Sequence, residues 1–205
     1  MKIALLGAES TGKTTLAGQL AAHLRREGHA VAVVPEWLHE WCTRKRRAPR
    51  PDECLAIAQE QEQRVSAAAA GIVVADTTAL MVAIWGGLLF ADHPLLRFAL
   101  ARQRGYDLTL VMGLDLPWVA DGLQRDRSWP REHTDALLRE LLGRAGIGYR
   151  VVYGSGEERL RNALAVLPAA LAPPAPAARV AWRWQCDSCS DPDCEHRLFR
   201  SVARN

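Results

Sequence analysis

Residues 7 to 16 read GAESTGKTTL. Gly7, Gly12, Lys13 and Thr14 meet the pattern G-x-x-x-x-G-K-[ST], a spacing that turns successive backbone N–H groups toward phosphate oxygens. In such a loop Lys13 reaches the β and γ phosphates, the Thr14 hydroxyl holds Mg²⁺, and Ser10, Thr11, Gly12 and Thr15 complete the cradle around the phosphates of ATP. A glycine turn that merely caps a helix is the alternative reading. The flanking residues argue against it: KIALL before the loop reads as a buried strand, and TTLAGQLAAHLRREG after it reads as a helix closing at Gly28.

Further β-rich runs fall at 30–34, 71–76, 107–112 and 149–153, and helical patterns at Glu53 to Ala70, Leu80 to Phe90, Pro94 to Arg104, Arg131 to Ala145 and Glu157 to Leu171. The alternation predicts an α/β fold, a parallel five-stranded sheet with helices on both faces spanning residues 1–171, which with the glycine loop is of the P-loop NTPase type. Ligands of such sheets bind beyond the carboxyl ends of the strands. That rule singles out Glu36, after the second strand, and Asp76, at the end of the third. One carboxylate can hold Mg²⁺ and the other take the proton of an attacking hydroxyl, the division of labour staying open; a surface acid or a helix cap is the plainer role for either.

The segment DLPWVADGLQRDRSWPREH (115–133) gathers Arg125, Arg127 and Arg131 beside Trp118 and Trp129. Phosphoryl transfer needs positive groups besides Lys13, so these arginines read as a lid over the triphosphate, against the simpler alternative of a solvated charged face. The GSG at 154–156, with Gly154 and Ser155, reads as a border for the adenine. Trp37, Trp41 and Trp85 offer flat rings for stacking on a base or pyridine, although tryptophans at helical spacing also serve as core. The run TRKRRAPRP (43–51) reads as an exposed, proline-ended basic loop.

Bulk properties fit a compact enzyme. Charged residues make up 24% and hydrophobic ones 49%. A net charge of +3 is too small to point to nucleic acid. The longest apolar run, ALMVAIWGGLLFA, falls short of the roughly 20 residues of a membrane span, and no leader-like n-region precedes it, so the expectation is a cytoplasmic protein with no membrane partner. Oligomeric state stays open.

PWVADGLQ, GAESTGKTTL, VPEWLHEW and VVADTT together resemble the ribosylnicotinamide kinase domain of NadR-type proteins, among the AAA-like P-loop ATPases. The resemblance covers about residues 1 to 170. It implies a fold like that of nucleoside and nucleotide kinases and phosphorylation of the 5′-hydroxyl of nicotinamide riboside by ATP, with Glu40 and Asp121 toward the acceptor. The family pattern P-E-Y-A-R-E falls on Pro35 to Glu40, with His39 in place of arginine. The family D-T-D falls on Asp76, Thr77 and Thr78, where the second carboxylate is replaced.

The end of the chain differs in kind. APPAPAA (172–178) is a Pro/Ala linker, and residues 179–205 carry Cys186, Cys189, Cys194 and His196 as C-x2-C-x4-C-x-H. This is a ligand set for structural Zn²⁺; a tail without metal, a disulfide or an iron–sulfur cluster are the competing readings.

Two functions emerge. One is an ATP-dependent kinase acting on a nucleoside-like hydroxyl, with Lys13 and the loop on the phosphates, Thr14 and Asp76 on Mg²⁺, Glu36 as base, and Arg125 and Arg127 as lid. The other is an ATP-binding or ATP-hydrolysing switch that acts on a macromolecular partner.

Overall fold

The computed structural model describes residues 1–87, 93–118 and 130–167, all within one compact unit, Met1–Ala172. Strands β1 (Lys2–Leu6), β2 (Val31–Val34), β3 (Ile72–Asp76), β4 (Leu108–Met112) and β5 (Arg150–Val152) form one parallel sheet in the order β2-β3-β1-β4-β5. Each lies within one residue, at either end, of the run that suggested it. The helices are α1 (Lys13–Arg26), α2 (Trp37–Lys45), α3 (Pro51–Ala67), α4 (Ala79–Trp85), α5 (Pro94–Gln103), α6 (Arg131–Arg144) and α7 (Gly156–Ala165).

A parallel sheet must be covered on both faces, and β1 shows how the sequence arranges this. Its alternate side chains Ile3 and Leu5 enter one core with Leu16, Leu20 and Leu24 of α1 and Ala163 of α7. Ala4 and Leu6 enter the other with residues of α2 through α6. Strand β1 thus sits at the centre of the sheet, buried on both faces, and whatever follows Leu6 is held on a rigid base.

Helix ends follow local chemistry. Gly28 takes φ +88° and closes α1, with Gly28 N–H donating to Arg25 O and His29 N–H to Leu24 O. Helix α3 begins two residues earlier than expected because Pro51 occupies its first turn. Helix α4 ends at Trp85, shorter than the expected reach to Phe90, where Gly86 and Gly87 follow. The basic run 43–51 is not one loop: Thr43, Arg44 and Lys45 complete α2, Arg46 turns the chain at φ +54°, and Pro51 opens α3.

Candidate active site

The turn that follows β1 is built from two glycines at positive φ and one hydroxyl. Gly7 sits at φ +148°, and a Cβ there would stand 3.0 Å from Met112 Cβ. Gly12 sits at φ +79°, and a Cβ there would meet Leu116 Cδ1 at 2.9 Å. Across the loop the Thr11 hydroxyl donates to Ala8 O at 2.7 Å. The Lys13 ammonium, 7% exposed, donates to Gly7 O and Ala8 O at 2.9 Å each, the pairing a buried cation requires. Helix α1 starts here with no side-chain cap and no acid in its first turn, so its first amides are left for an anion.

Beside this loop, the Thr14 hydroxyl donates to Asp76 Oδ2 at 2.6 Å. Asp76 is 2% exposed, and its Oδ1 is buried with no hydrogen-bond partner among the described residues. Burial raises its pKa above the ordinary carboxylate range and the negative charge of Glu36 adds to the rise, opposed by the Thr14 hydrogen bond, Lys13 and His39. A hydroxyl and a buried carboxylate with an unsatisfied oxygen are hard donors of the kind Mg²⁺ takes. The residues therefore fit that ion. Glu36 stands at the N-cap of α2 and, with His39, lies within electrostatic reach of Asp76. Trp85 is brought in as well, its ring centroid 5.6 Å from Lys13 Nζ.

The end of β3 is held from below. Thr77 adopts φ +85°, costly for a β-branched residue; its N–H donates to Leu5 O and its carbonyl accepts from Gln61 Nε2 at 3.4 Å. Gln61 Oε1 accepts the Trp37 N–H at 2.7 Å, which ties α2 to α3. Thr78, standing where the family pattern has its second carboxylate, works in the interior: it caps α4 through Leu80 N–H and donates to Gln103 Oε1 at 2.7 Å. Glu62 accepts from Ala79 N–H at 3.0 Å and from the Tyr106 hydroxyl, and burial raises its pKa.

The other expected substrate residues are placed differently. Trp37 and Trp41 pack partly buried against the α2–α6 core. Their rings already face the chain's own cations: Arg64 at 3.8 Å and Arg44 at 5.1 Å from the Trp37 centroid, and Arg47 at 4.9 Å from that of Trp41. Glu40 pairs with Arg64 at 3.2 Å and Arg44 at 3.6 Å. Glu53, held by Arg47 and the Arg50 amide, has its pKa lowered to about 2. Of the expected lid, Asp121, Arg125 and Arg127 lie outside the described residues. Arg131 opens α6 and donates through Nη1 to Leu116 O at 3.1 Å, while its Nε and Nη2 are buried with no hydrogen-bond partner among the described residues. Cys186, Cys189, Cys194 and His196 also lie outside the described residues, and among the described ones no group of three His, Cys, Asp or Glu is arranged to hold a metal.

Gly154, expected with Ser155 to border the adenine, is tied to the phosphate loop through a residue the sequence did not single out. Arg159 of α7, 3% exposed, donates Nε to Gly154 O at 2.7 Å, Nη2 to Asp115 Oδ1 at 2.5 Å, and Nη1 to the Thr11 carbonyl within the phosphate loop. Asp115 Oδ2 accepts the Gly154 N–H at 2.5 Å. Neither residue has a local signal: Arg159 lies 148 positions from Thr11. Gln61 is equally silent in sequence, one polar residue among many on α3.

The order 2-3-1-4-5, with a glycine loop and lysine between the central strand and its helix, defines a P-loop NTPase fold. The chain belongs to the AAA domain family, whose model matches residues 2–159. Solved structures that share the fold include two of NadR proteins. A NadR protein in complex with NR matches at 22% identity and TM-score 0.61, covering 79% of this chain and 49% of that one. A NadR protein in complex with NAD and AMP-PNP matches at 20% identity and TM-score 0.59, covering 79% and 47%. The chain thus spans about half the length of the NadR chains it matches. No curated protein matches it. Among the described residues no helix is long and apolar enough to cross a membrane.

Proposed function

We propose that the chain is an ATP-dependent phosphotransferase that moves the γ-phosphoryl group to the hydroxyl of a nucleoside-like small molecule, with nicotinamide riboside as the first acceptor to try. The observation that carries this is the pairing of Thr14 with Asp76, one oxygen of which stays unsatisfied, beside a lysine-filled phosphate loop. A loop that only capped a helix would have no use for a buried carboxylate left half-paired at the strand end. The folds that match belong to proteins whose structures hold NR and AMP-PNP, which supports the nucleoside reading.

In this reading the loop amides and Lys13 bind the β and γ phosphates, Lys13 turning from the Gly7 and Ala8 carbonyls to phosphate oxygens. Thr14 and Asp76 would hold Mg²⁺, which when bound would neutralise charge on the phosphate oxygens. Glu36 orients the acceptor hydroxyl and takes its proton as its oxygen bonds to the γ phosphorus and the bond to the β-phosphate oxygen breaks, leaving ADP. The buried Nε and Nη2 of Arg131 are donors that a phosphoryl oxygen would satisfy. Trp85, near Lys13, is the aromatic residue placed to meet an acceptor ring; Trp37 and Trp41 are engaged by arginines. A catalytic site in a soluble, cytoplasmic protein suits this chemistry.

The second reading, a nucleotide-driven switch, draws on that arginine-covered surface of α2 and α3, where Arg44 is 67% exposed. ADP formation with and without nicotinamide riboside separates the two. Release that rises with the acceptor supports the kinase; release indifferent to every nucleoside overturns it in favour of the switch.

A further inference from the structure

A buried arginine is costly to keep charged, and breaking such a pair is more costly than never having had it. Arg159 meets that cost with three partners drawn from three segments: Asp115 after β4, Gly154 after β5, and the Thr11 carbonyl of the phosphate loop. Its side chain is 4% exposed, and its Nη1 would stand 3.4 Å from a Cβ on Gly12. Helices α7 and α1 pack in the same core, so the guanidinium is fixed relative to the helix that begins in that loop.

The consequence follows from peptide geometry. The Thr11 carbonyl and the Gly12 N–H belong to one planar trans unit and point in opposite directions. A donor that pins the carbonyl from outside therefore aims the Gly12 N–H to the opposite side of the peptide. Inside the loop, Thr11 Oγ1 donates to the Ala8 carbonyl and Lys13 to those of Gly7 and Ala8; among the described contacts, the Thr11 carbonyl is gripped by Arg159.

We propose that Arg159 is a positioning residue for nucleotide binding: by holding the Thr11 carbonyl it aims the Gly12 amide at a phosphate, and through Asp115 it joins the phosphate loop to the Gly154 turn. This rests on the nucleotide reading above. Preorganised amides bind phosphate in ground and transition states alike, so their loss weakens nucleotide binding with little effect on turnover once nucleotide is bound.

The test is calorimetric titration of the full chain with AMP-PNP and Mg²⁺, for the wild type, Arg159→Met and Arg159→Lys, alongside thermal melting. Arg159→Met removes all three donors, and Arg159→Lys keeps a cation for Asp115 if the first variant does not fold. The expected result is a Kd raised about tenfold in Arg159→Met and about three- to tenfold in Arg159→Lys, with the number of sites per chain unchanged. An arginine that only supports the fold gives the opposite pattern, fewer sites and a lower melting temperature with Kd within about twofold of wild type, and that pattern overturns the assignment. A wild type that binds no AMP-PNP overturns the nucleotide reading itself, and this assignment with it.

Discussion

Replacing Gln61 by Leu isolates the contact that holds the far edge of the site. Gln61 is fully buried. Its side chain accepts the Trp37 N–H at 2.7 Å and donates to Thr77 O at 3.4 Å. Leucine keeps the apolar bulk but leaves the first amide of α2 without its acceptor and the strained Thr77 without a donor. The 2.7 Å bond is close to ideal and the 3.4 Å bond is weak, so the loss is mainly one partly buried hydrogen bond, about 1–2 kcal/mol. For a domain of this size that lowers Tm by about 2–8 °C. The same change loosens the α2 start that carries Glu36 and the turn after Asp76, so Mg²⁺-dependent ADP formation should fall about three- to tenfold while the chain stays folded. Thermal melting by circular dichroism and initial rates on one preparation supply both numbers. Gln61→Glu, which keeps the acceptor for Trp37 but loses the donor, should give an intermediate rate near neutral pH. A Gln61→Leu protein that melts within about 1 °C of wild type would refute the reasoning, since the partly buried Trp37 amide would then cost nothing to abandon.

Other consequences are sharper in direction than in size. Asp76→Asn keeps a partner for the Thr14 hydroxyl but removes the charge, and should lower Mg²⁺-dependent transfer by about 100-fold or more; activity equal to wild type would remove Asp76 from the metal. Gly12→Ala forces a side chain at φ +79° against Leu116 at 2.9 Å, and should cost about 1–2 kcal/mol of stability and most nucleotide affinity, read by melting and by AMP-PNP titration. The Glu62 pKa is raised by burial, so its contribution to stability is fully present below the ordinary glutamate pKa and is lost as pH rises through the raised value. The melting temperature of wild type relative to Glu62→Gln should therefore fall between acid and neutral pH, and a difference that is flat or rising would contradict the burial argument. A zinc knob in the tail predicts bound Zn²⁺ by elemental analysis in the wild type and its loss on changing Cys186 and Cys189 to Ser; metal-free wild type rejects the knob.

Much of the scaffold is legible from local pattern because the residues that build it are local. Continuous apolar runs such as KIALL and IVVAD are what a strand buried on both faces requires, and the phosphate loop is written in ten consecutive positions. Asp76 was legible because strand ends in parallel sheets are where ligands bind. What the sequence concealed depends on distance along the chain. Arg159 and Asp115 reach the loop only through the fold, and nothing near Arg159 distinguishes it from the exposed arginines around it. Trp37 and Trp41 were readable as aromatic but not as arginine-covered, because Arg64 approaches from α3. Thr78 reads as a lost carboxylate in a motif and becomes, in the structure, a helix cap bonded to Gln103.

The central claim is transfer to a hydroxyl rather than to water. The most direct measurement incubates the full chain with ATP labelled on the γ phosphate and Mg²⁺, offers nicotinamide riboside and a panel of nucleosides, and separates phosphorylated acceptor from free phosphate. The account predicts label on an acceptor in the wild type and none with Lys13→Ala. Label released only as inorganic phosphate, at a rate no acceptor changes, would contradict it.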